Sequence, residues 1–266
     1  MYEFNYQRAS SVADAAKKLG TGEDARLLAG GQTLIAAMKL RLANPTDLID
    51  LSGIAELRGI KADKDGITVG AITTHAEVAA SKDIQQHIPA LADLAESIGD
   101  PMVRNMGTIG GSIANNDPAA DYPAALVGLG ATVKTNQRQI TADDFFTGMF
   151  MTALEPGEII ESIHFPKPKR AAYMKFSNPA SRYAIVGTFV ADTGNGVRVA
   201  VTGAGACVFR VLQMEKTLSA KFAPDAVANI DVAADDLNAD MHASAEYRAH
   251  LVSVMAKRAV EKAVAG

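Results

Sequence analysis

The sequence predicts an α+β protein in which a β–α–β unit comes first, hairpins and helices follow, and an antiparallel sheet with helices comes last. Three observations predict this order. Between residues 25 and 51, two short apolar segments flank a glycine turn and a helical pattern, as in a β–α–β unit. Asp65-Gly66 and Gly194-Asn195-Gly196 each separate two alternating segments, which is typical of β-hairpins. From about Leu212 the chain is rich in alanine, the residue that most favours helix.

The first elements are expected to be a helix, a strand, a second helix and a second strand. Ser10 or Ser11 is a suitable N-cap for the first helix, and Gly20 is expected to end it. The second helix is predicted over 33–43, where apolar residues recur at helical spacing, and Pro45 is expected to stop it. Its apolar face would carry Leu34, Met38 and Leu42. The strands are expected at residues 25–28 and 47–51.

The middle of the chain mixes helix and strand signals. Thr74-His75-Ala76-Glu77 has the capping-box spacing that starts a helix. A further helix is predicted over 83–97 in spite of Pro89, and another from Tyr122. The segment 100–120 is rich in Gly, Asn, Asp and Pro and is expected to be an ordered loop. Strands are expected at residues 132–135 and 158–165.

The run PKPKR at 166–170 is the clearest break in the pattern, and we predict a domain boundary there. Three strand-like segments and then the helical C-terminus follow it. The best helical pattern of the C-terminus covers 242–263. The predicted domains are residues 1–55, 56–165 and 166–266.

Composition argues against several classes of function. Apolar residues make up 48% of the chain and charged residues 21%, as in ordinary globular proteins. The net charge is −4 and the positive charges are scattered, so no nucleic-acid footprint is present. No apolar run approaches the ~20 residues of a membrane-spanning helix. The N-terminus lacks the features of a signal peptide, so a cytoplasmic location is the simplest interpretation.

The chain has a single cysteine, Cys207. One thiol cannot form an intrachain disulfide, and iron–sulfur clusters typically need four cysteine ligands. The five histidines lie far apart in sequence, without the spacings of a metal site. We therefore expect no metal or cluster on this chain. Any redox chemistry would come from an organic cofactor or from a partner chain.

Two glycine pairs are the strongest candidates for a binding site. They lie in Ala29-Gly30-Gly31-Gln32-Thr33, the first glycine loop, and Thr108-Ile109-Gly110-Gly111-Ser112, the second glycine loop. Glycine lets an anionic ligand approach the main chain, and consecutive N–H groups in such a turn form an anion-binding concavity. The helix expected after the first loop would add N–H groups. Each pair alone is more simply a tight turn. The two together leave a structural role and an anion site equally open.

Other ways of binding a nucleotide are excluded. Neither loop has the G-x-G-x-x-G spacing of a Rossmann fold, and the Gly-Lys-Ser/Thr of a P-loop does not occur. Asp121 is either the N-cap of the helix from Tyr122 or a partner for a sugar hydroxyl. Lys175 and Tyr183 lie among the C-terminal strands, where a lone lysine is usually solvated and a tyrosine usually packs. No catalytic triad or convincing general base is present, so no catalytic side chain is predicted.

Several segments resemble, in the same order, the flavin subunit of xanthine dehydrogenase-type and carbon monoxide dehydrogenase-type molybdenum hydroxylases. They are LLAGGQTLIAAMKLRLANPTDLIDL (27–51), VGAITTHAEVAAS (69–81), DPMVRNMGTIGGSIANNDPAADYPAAL (100–126), FFTGMFMTALEPGEIIESI (145–163) and ASAEYRAHLVSVMAKRA (243–259). The resemblance covers nearly the whole chain. Its motifs AGGQTL and TIGGS are specific as a pair and weak singly.

The resemblance implies an FAD-binding fold of the vanillyl-alcohol-oxidase type. Two α/β subdomains would hold FAD between them, and a C-terminal sheet-and-helix domain would follow. The first loop and the second loop would meet the diphosphate from opposite sides, and Tyr183 would lie beside the flavin ring. By position, cofactor binding is assigned to Ala29, Gly30, Gly31, Gln32, Thr33, Leu34, Val103, Thr108, Ile109, Gly110, Gly111, Ser112, Asn115, Asp121, Ile160, Lys175 and Tyr183.

The resemblance also implies a place in a multi-subunit oxidoreductase. A large subunit with a molybdopterin centre would oxidise the substrate, and two [2Fe-2S] clusters on a small iron–sulfur subunit would carry electrons to FAD on this chain. The flavin would then supply the chemistry, which agrees with the missing general base. No histidine beside either glycine loop is placed for a covalent link to the flavin, so noncovalent FAD is predicted. The alternatives are a free-standing flavin oxidoreductase of the same fold and a redox-inactive nucleotide-binding scaffold subunit.

Overall fold

The computed structural model describes all residues 1–266, and its first sheet has three parallel strands. β3 lies between β1 and β2 and pairs in parallel with both, so the predicted β–α–β unit is confirmed. Ser11 is the N-cap of the first helix. The elements of this region are β1 (Asn5–Arg8), α1 (Val12–Thr21), β2 (Ala25–Leu28), α2 (Leu34–Lys39) and β3 (Asp47–Asp50).

Two helix ends predicted for this region are wrong. α1 continues through Gly20 for one more residue. α2 ends at Lys39, and Arg41 has a φ of 60°. A left-handed residue stops a right-handed helix, so α2 ends several residues before Pro45. Leu42 is therefore 78% exposed and does not extend the buried face of α2.

The middle region forms a five-stranded antiparallel sheet in the order β4-β5-β10-β6-β7. The predicted hairpin β4-β5, the capping box of Thr74 and Glu77, and the helix from Tyr122 are confirmed. Its elements are β4 (Ile60–Ala62), β5 (Gly66–Gly70), α3 (His75–Ala80), α4 (Lys82–His87), α5 (Pro89–Glu96), α6 (Pro101–Met106), α7 (Ile109–Asn115), α8 (Tyr122–Leu129), β6 (Thr132–Thr135), β7 (Gln139–Thr141), α9 (Ala142–Phe145), β8 (Phe146–Gly148), β9 (Met151–Thr152) and β10 (Ile160–Pro166).

Two predictions for the middle region are wrong. The segment 100–120 is mostly helical, because polar caps start two short helices in it. The Asp100 carboxylate accepts two N–H groups at the start of α6, and the Thr108 hydroxyl accepts one at the start of α7. The single helix predicted before them is the two helices α4 and α5. Pro89 is the first residue of α5, where its missing N–H costs nothing.

The C-terminal region is a four-stranded antiparallel sheet in the order β11-β12-β13-β14, covered by helices. The predicted hairpin at Gly194-Asn195-Gly196 joins β12 to β13. Residues 221–244 are not helical apart from one short turn, so the prediction of continuous helix after Leu212 is wrong. The elements are β11 (Arg170–Ser177), β12 (Ala184–Asp192), β13 (Val197–Thr202), β14 (Phe209–Arg210), α10 (Leu212–Ala220) and α11 (Ala245–Ala265).

The largest apolar core lies between the middle sheet and its helices. Tyr173 and Phe189 from the C-terminal sheet join it. The two regions therefore share one core, and the C-terminal sheet packs against helices α5 and α8 of the middle region. The domain bounds stated above remain a prediction. None of the helices combines the length and apolar character needed to cross a membrane.

Candidate functional site

The two glycine loops, far apart in sequence, meet in space. A Cβ added to Gly30 would lie 2.1 Å from the carbonyl oxygen of Met106 and 2.8 Å from Cα of Gly107. Only glycine permits this approach of two main chains. A Cβ on Gly111 would point toward Ala29, with 3.8 Å between the two Cβ atoms. The loops are thus opposite walls of one site.

A cavity of about 770 Å³ opens between these walls. This volume is within the usual range of small-molecule sites. Most of the residues predicted to bind the cofactor line it: Ala29, Gly30, Gly31, Gln32, Thr33, Leu34, Val103, Thr108, Gly110, Gly111, Ser112, Asn115, Asp121, Ile160 and Tyr183. The structure therefore brings together side chains and main chain from all parts of the predicted set.

Two predicted residues do not line the cavity. The Ile109 side chain is fully buried in the core of the middle region. Lys175 lies behind Asp121 and donates to both of its carboxylate oxygens, at 3.0 and 3.2 Å, and to the Ser97 carbonyl. Their positions are those of supports behind the cavity wall.

The first glycine loop offers a run of free main-chain donors. None of the N–H groups from Gly30 to Leu34 donates a hydrogen bond within the chain. The first N–H that does so after them is that of Ile35, which donates to the Gly31 carbonyl at 3.0 Å. Gly31 itself has a φ of 68°, which turns the chain into α2. Unpaired N–H groups at a protein surface need an acceptor from solvent or a ligand, so this loop is suited to an anion.

The second glycine loop differs, because its N–H groups from Ile109 to Ser112 are already used. Ile109 donates to the Thr73 carbonyl at 3.1 Å, and Gly110 donates to the Ala71 carbonyl at 2.8 Å. The N–H of Gly111 donates to the Thr108 hydroxyl. The expectation that both loops offer amide donors therefore holds for the first loop only. What the second loop contributes is a smooth glycine surface and the Ser112 hydroxyl.

Asp121 is held in a buried network at the cavity wall. Asp121 is the N-cap residue of α8, as one of the two interpretations above has it, but its side chain makes no capping hydrogen bond. It accepts instead from the Tyr173 hydroxyl at 2.5 Å and from Lys175. Burial raises the pKa of Asp121, while attraction to Lys175 and the Tyr173 hydrogen bond oppose that rise. The network fixes the direction of one carboxylate toward the cavity.

Glu158 is a lining residue that the sequence did not single out. It accepts from the Thr135 hydroxyl at 2.7 Å and from Arg138 at 3.0 Å. The Arg138 hydrogen bond is the main reason why the pKa of Glu158 falls to about 2, with help from the Glu155 N–H. Glu158 therefore stays ionised and paired, as a structural anchor for the turn before β10.

His75 also lines the cavity and was not singled out as a site residue. It is 5% exposed, and its main-chain N–H donates to the Gly107 carbonyl at 3.0 Å. Burial, aided by the charge of Arg104, lowers the pKa of His75 to about 4, so its ring is neutral near pH 7. The capping box predicts a helix start at this residue, but nothing in that pattern reveals which loop its ring packs against.

The site has no metal-binding group, since no cluster of His, Cys, Asp or Glu side chains is placed to hold an ion. Two cations, Arg26 and Arg182, line the cavity, and Tyr183 lies there half exposed. The arrangement offers amide donors and glycine surfaces, and four carboxylates also line it: Asp100, Asp117, Asp121 and Glu158. It contains no nucleophile paired with a base.

Two family models together cover almost the whole chain. The one described as the FAD binding domain in molybdopterin dehydrogenase matches residues 2–168. The one described as the CO dehydrogenase flavoprotein C-terminal domain matches residues 171–263.

Full-length relatives are similar throughout. The nicotine 6-hydroxylase medium subunit of Paenarthrobacter nicotinovorans is 35% identical over 97% of this chain and 96% of its own length. The carbon monoxide dehydrogenase medium chain of Hydrogenophaga pseudoflava is 35% identical over 98% and 96%. A chain of reconstituted CO dehydrogenase from Oligotropha carboxidovorans superposes with a TM-score of 0.91 at 34% identity, covering 99% of this chain and 98% of that one.

Proposed function

The chain belongs to the family of FAD-binding subunits of molybdopterin dehydrogenases, and from this premise we propose how its cavity holds the cofactor. It is the flavoprotein medium subunit of a molybdenum hydroxylase complex, as the resemblance in its sequence predicted. FAD occupies the cavity between the glycine loops, with its diphosphate where the loops meet. The predicted site residues are proposed as its contacts, with Ile109 and Lys175 as supports behind the wall.

The run of free N–H groups from Gly30 to Leu34 is the observation that carries this proposal. Phosphate oxygens are strong acceptors, and charge-assisted hydrogen bonds from amides are stronger than neutral ones. The facing surface of the second loop has no side chain at Gly111 to keep a diphosphate away. The free amides of the first loop and the glycine surface of the second loop therefore both suit a diphosphate.

Other lining residues suit the parts of FAD on either side of the diphosphate. Asp121 presents a carboxylate oxygen of suitable chemistry for a ribose hydroxyl, and Asn115 an amide. Tyr183 offers a half-exposed ring for stacking on an aromatic system. When bound, FAD supplies the redox chemistry that connects a partner's iron–sulfur clusters to an external acceptor. The protein's part is to bind it, orient it and keep water from its buried end.

The partners are a small iron–sulfur subunit and a large molybdenum-binding subunit. The names of the relatives, medium subunit and medium chain, favour this role over that of a free-standing flavin oxidoreductase. The intact cavity favours it over a redox-inactive scaffold. A cytoplasmic location stays a prediction that fractionation of the native host tests.

The test is to purify the chain, alone and with the subunits that accompany it, and to identify its cofactor. We expect yellow protein that releases FAD on denaturation, together with copurifying iron–sulfur and molybdopterin subunits. Colourless protein that takes up no FAD would overturn the proposal. Turnover of an organic donor by this chain alone would favour the free-standing enzyme.

A further inference from the structure

We propose that His75 is a hydrogen-bond donor to the diphosphate, acting through its Nε2–H from behind the point where the two glycine loops meet. This inference rests on the proposed function, because it takes the diphosphate to lie between the loops.

Nε2 of His75 lies close to the place where the two glycine loops meet. A Cβ added to Gly107 would lie 2.6 Å from Nε2 of His75, so this nitrogen is in contact with the residue before the second loop. A Cβ added to Gly30 would lie 2.8 Å from Cα of the same Gly107. His75, Gly107 and Gly30 are therefore stacked in that order. The imidazole lies at the junction of the loops and lines their cavity.

The neutral imidazole of His75 can carry its proton on Nδ1 or on Nε2. Nδ1 is fully buried and has no hydrogen-bond partner. A buried N–H without an acceptor is rarer and costlier than a buried acceptor without a donor. A proton on Nδ1 would be such an orphan, so the neutral ring keeps its proton on Nε2. Nε2 is not sealed in this way, and the residue lines the cavity.

The surroundings hold the ring in this state. Tyr122 packs against it with ring centroids 5.3 Å apart, and the Tyr122 hydroxyl is itself buried without a partner. Arg104 is the one charge that acts on His75, and it disfavours a second proton on the ring. No carboxylate contributes to the shift in the pKa of His75. The donor is therefore available to an anion and adds to the five amides of the first loop.

Three substitutions at His75 separate a contact from a packing role. FAD and ADP, which share a diphosphate, are titrated against the flavin-free full chain. His75→Leu should weaken both ligands by the same factor, about 10-fold to 100-fold, the usual effect of losing a hydrogen bond to a charged acceptor. His75→Gln places an amide N–H near the Nε2 position and should bind within about threefold of wild type. His75→Asn places it near Nδ1 and should resemble His75→Leu.

A second measurement does not depend on affinity. ¹⁵N NMR of the imidazole should show the proton on Nε2 in the free chain, and the Nε2 signal should move on addition of ADP. Equal binding of both ligands by His75→Leu would overturn the inference, as would weakened binding that Gln does not restore with an Nε2 signal that ADP leaves in place. Loss for FAD alone would place His75 at the flavin end instead. If the wild-type chain binds neither ligand, the proposed function itself fails.

Discussion

Lys175 and Asp121 form an ion pair with both side chains at least nine-tenths buried, and Tyr173 donates to the same carboxylate. A buried charge that loses its partner is left without compensation. The pair connects β11 of the C-terminal sheet to the start of α8 at the cavity wall. Its integrity therefore bears on both stability and ligand binding.

Replacing Lys175 by Met should lower the free energy of unfolding by about 3–5 kcal/mol, because it leaves the Asp121 charge buried and unpaired. Urea denaturation measures this. Lys175→Met with Asp121→Asn should recover part of the loss. The matched control is Lys262→Met, which breaks the exposed pair with Asp93 and should cost no more than about 1 kcal/mol. Equal effects of the two lysine substitutions would contradict the importance of the buried pair.

Gly111→Val should abolish FAD retention, because the new side chain projects toward Ala29 across the space between the loops. Its Cβ would also lie 2.9 Å from the Thr108 hydroxyl, which must shift, so a smaller loss of stability should accompany the loss of flavin. Gly110→Val should instead unfold or strongly destabilise the chain, since a Cβ there would lie 2.6 Å from the main-chain oxygen of Ala71. Gly20→Ala meets no neighbouring atom and is the control. Flavin content and thermal melting should separate the three. Normal FAD content in Gly111→Val would show that the diphosphate is elsewhere.

Glu158→Gln should destabilise the chain in a pH-dependent way. The folded pKa of Glu158 is about 2, below its ordinary value of 4.5, so the ionised form stabilises the fold above pH 4.5 and this contribution disappears as pH falls toward 2. At pH 7 the substitution should lower the free energy of unfolding by about 1–3 kcal/mol. Denaturation at a series of pH values should show the gap closing in that window. Glu155→Gln, at an exposed position, serves as the comparison, and a gap that is constant with pH would disprove the explanation.

Asn116 should prove necessary for the hairpin β8-β9. Its Nδ2 donates to the carbonyls of Gly148 and Met151 at 2.8 and 2.7 Å, and its φ is 42°. Asn116→Gly keeps the left-handed backbone and loses the two hydrogen bonds, which should cost about 1–3 kcal/mol. Asn116→Ala should cost about 1–2 kcal/mol more, from backbone strain. Limited proteolysis between β8 and β9 should accelerate in both variants. Unchanged cleavage would mean that other contacts hold the hairpin.

Much of the fold was predictable because its signals are local. The alternation around Asp65-Gly66 and the capping box at Thr74 depend only on nearby residues, and both predictions are confirmed. The same local reasoning gave a wrong prediction for the segment 100–120. Its polar residues are caps for helices of one or two turns, and their composition is that of a loop.

The glycine loops of the site could be predicted from the sequence, but several of the side chains that line it could not. Glycine pairs at Gly30 and Gly110 mark places where backbones approach, and such marks survive in the sequence. His75 and Glu158 have no such mark, since what makes them lining residues is a tertiary contact with Gly107 or Arg138. The use of the Gly110 N–H by Ala71 is equally invisible without coordinates.

The free amides of the first glycine loop have a consequence for how the subunit matures. A hydrogen that no protein acceptor protects exchanges with solvent at a rate close to that of an open chain. Once the diphosphate accepts hydrogen bonds from the amides of Gly30 to Leu34, their exchange with solvent should become slower. The free energy needed to open the occupied site sets how much slower. Deuterium uptake over this one short segment would therefore report when the cofactor arrives during biogenesis, without any need for electron transfer.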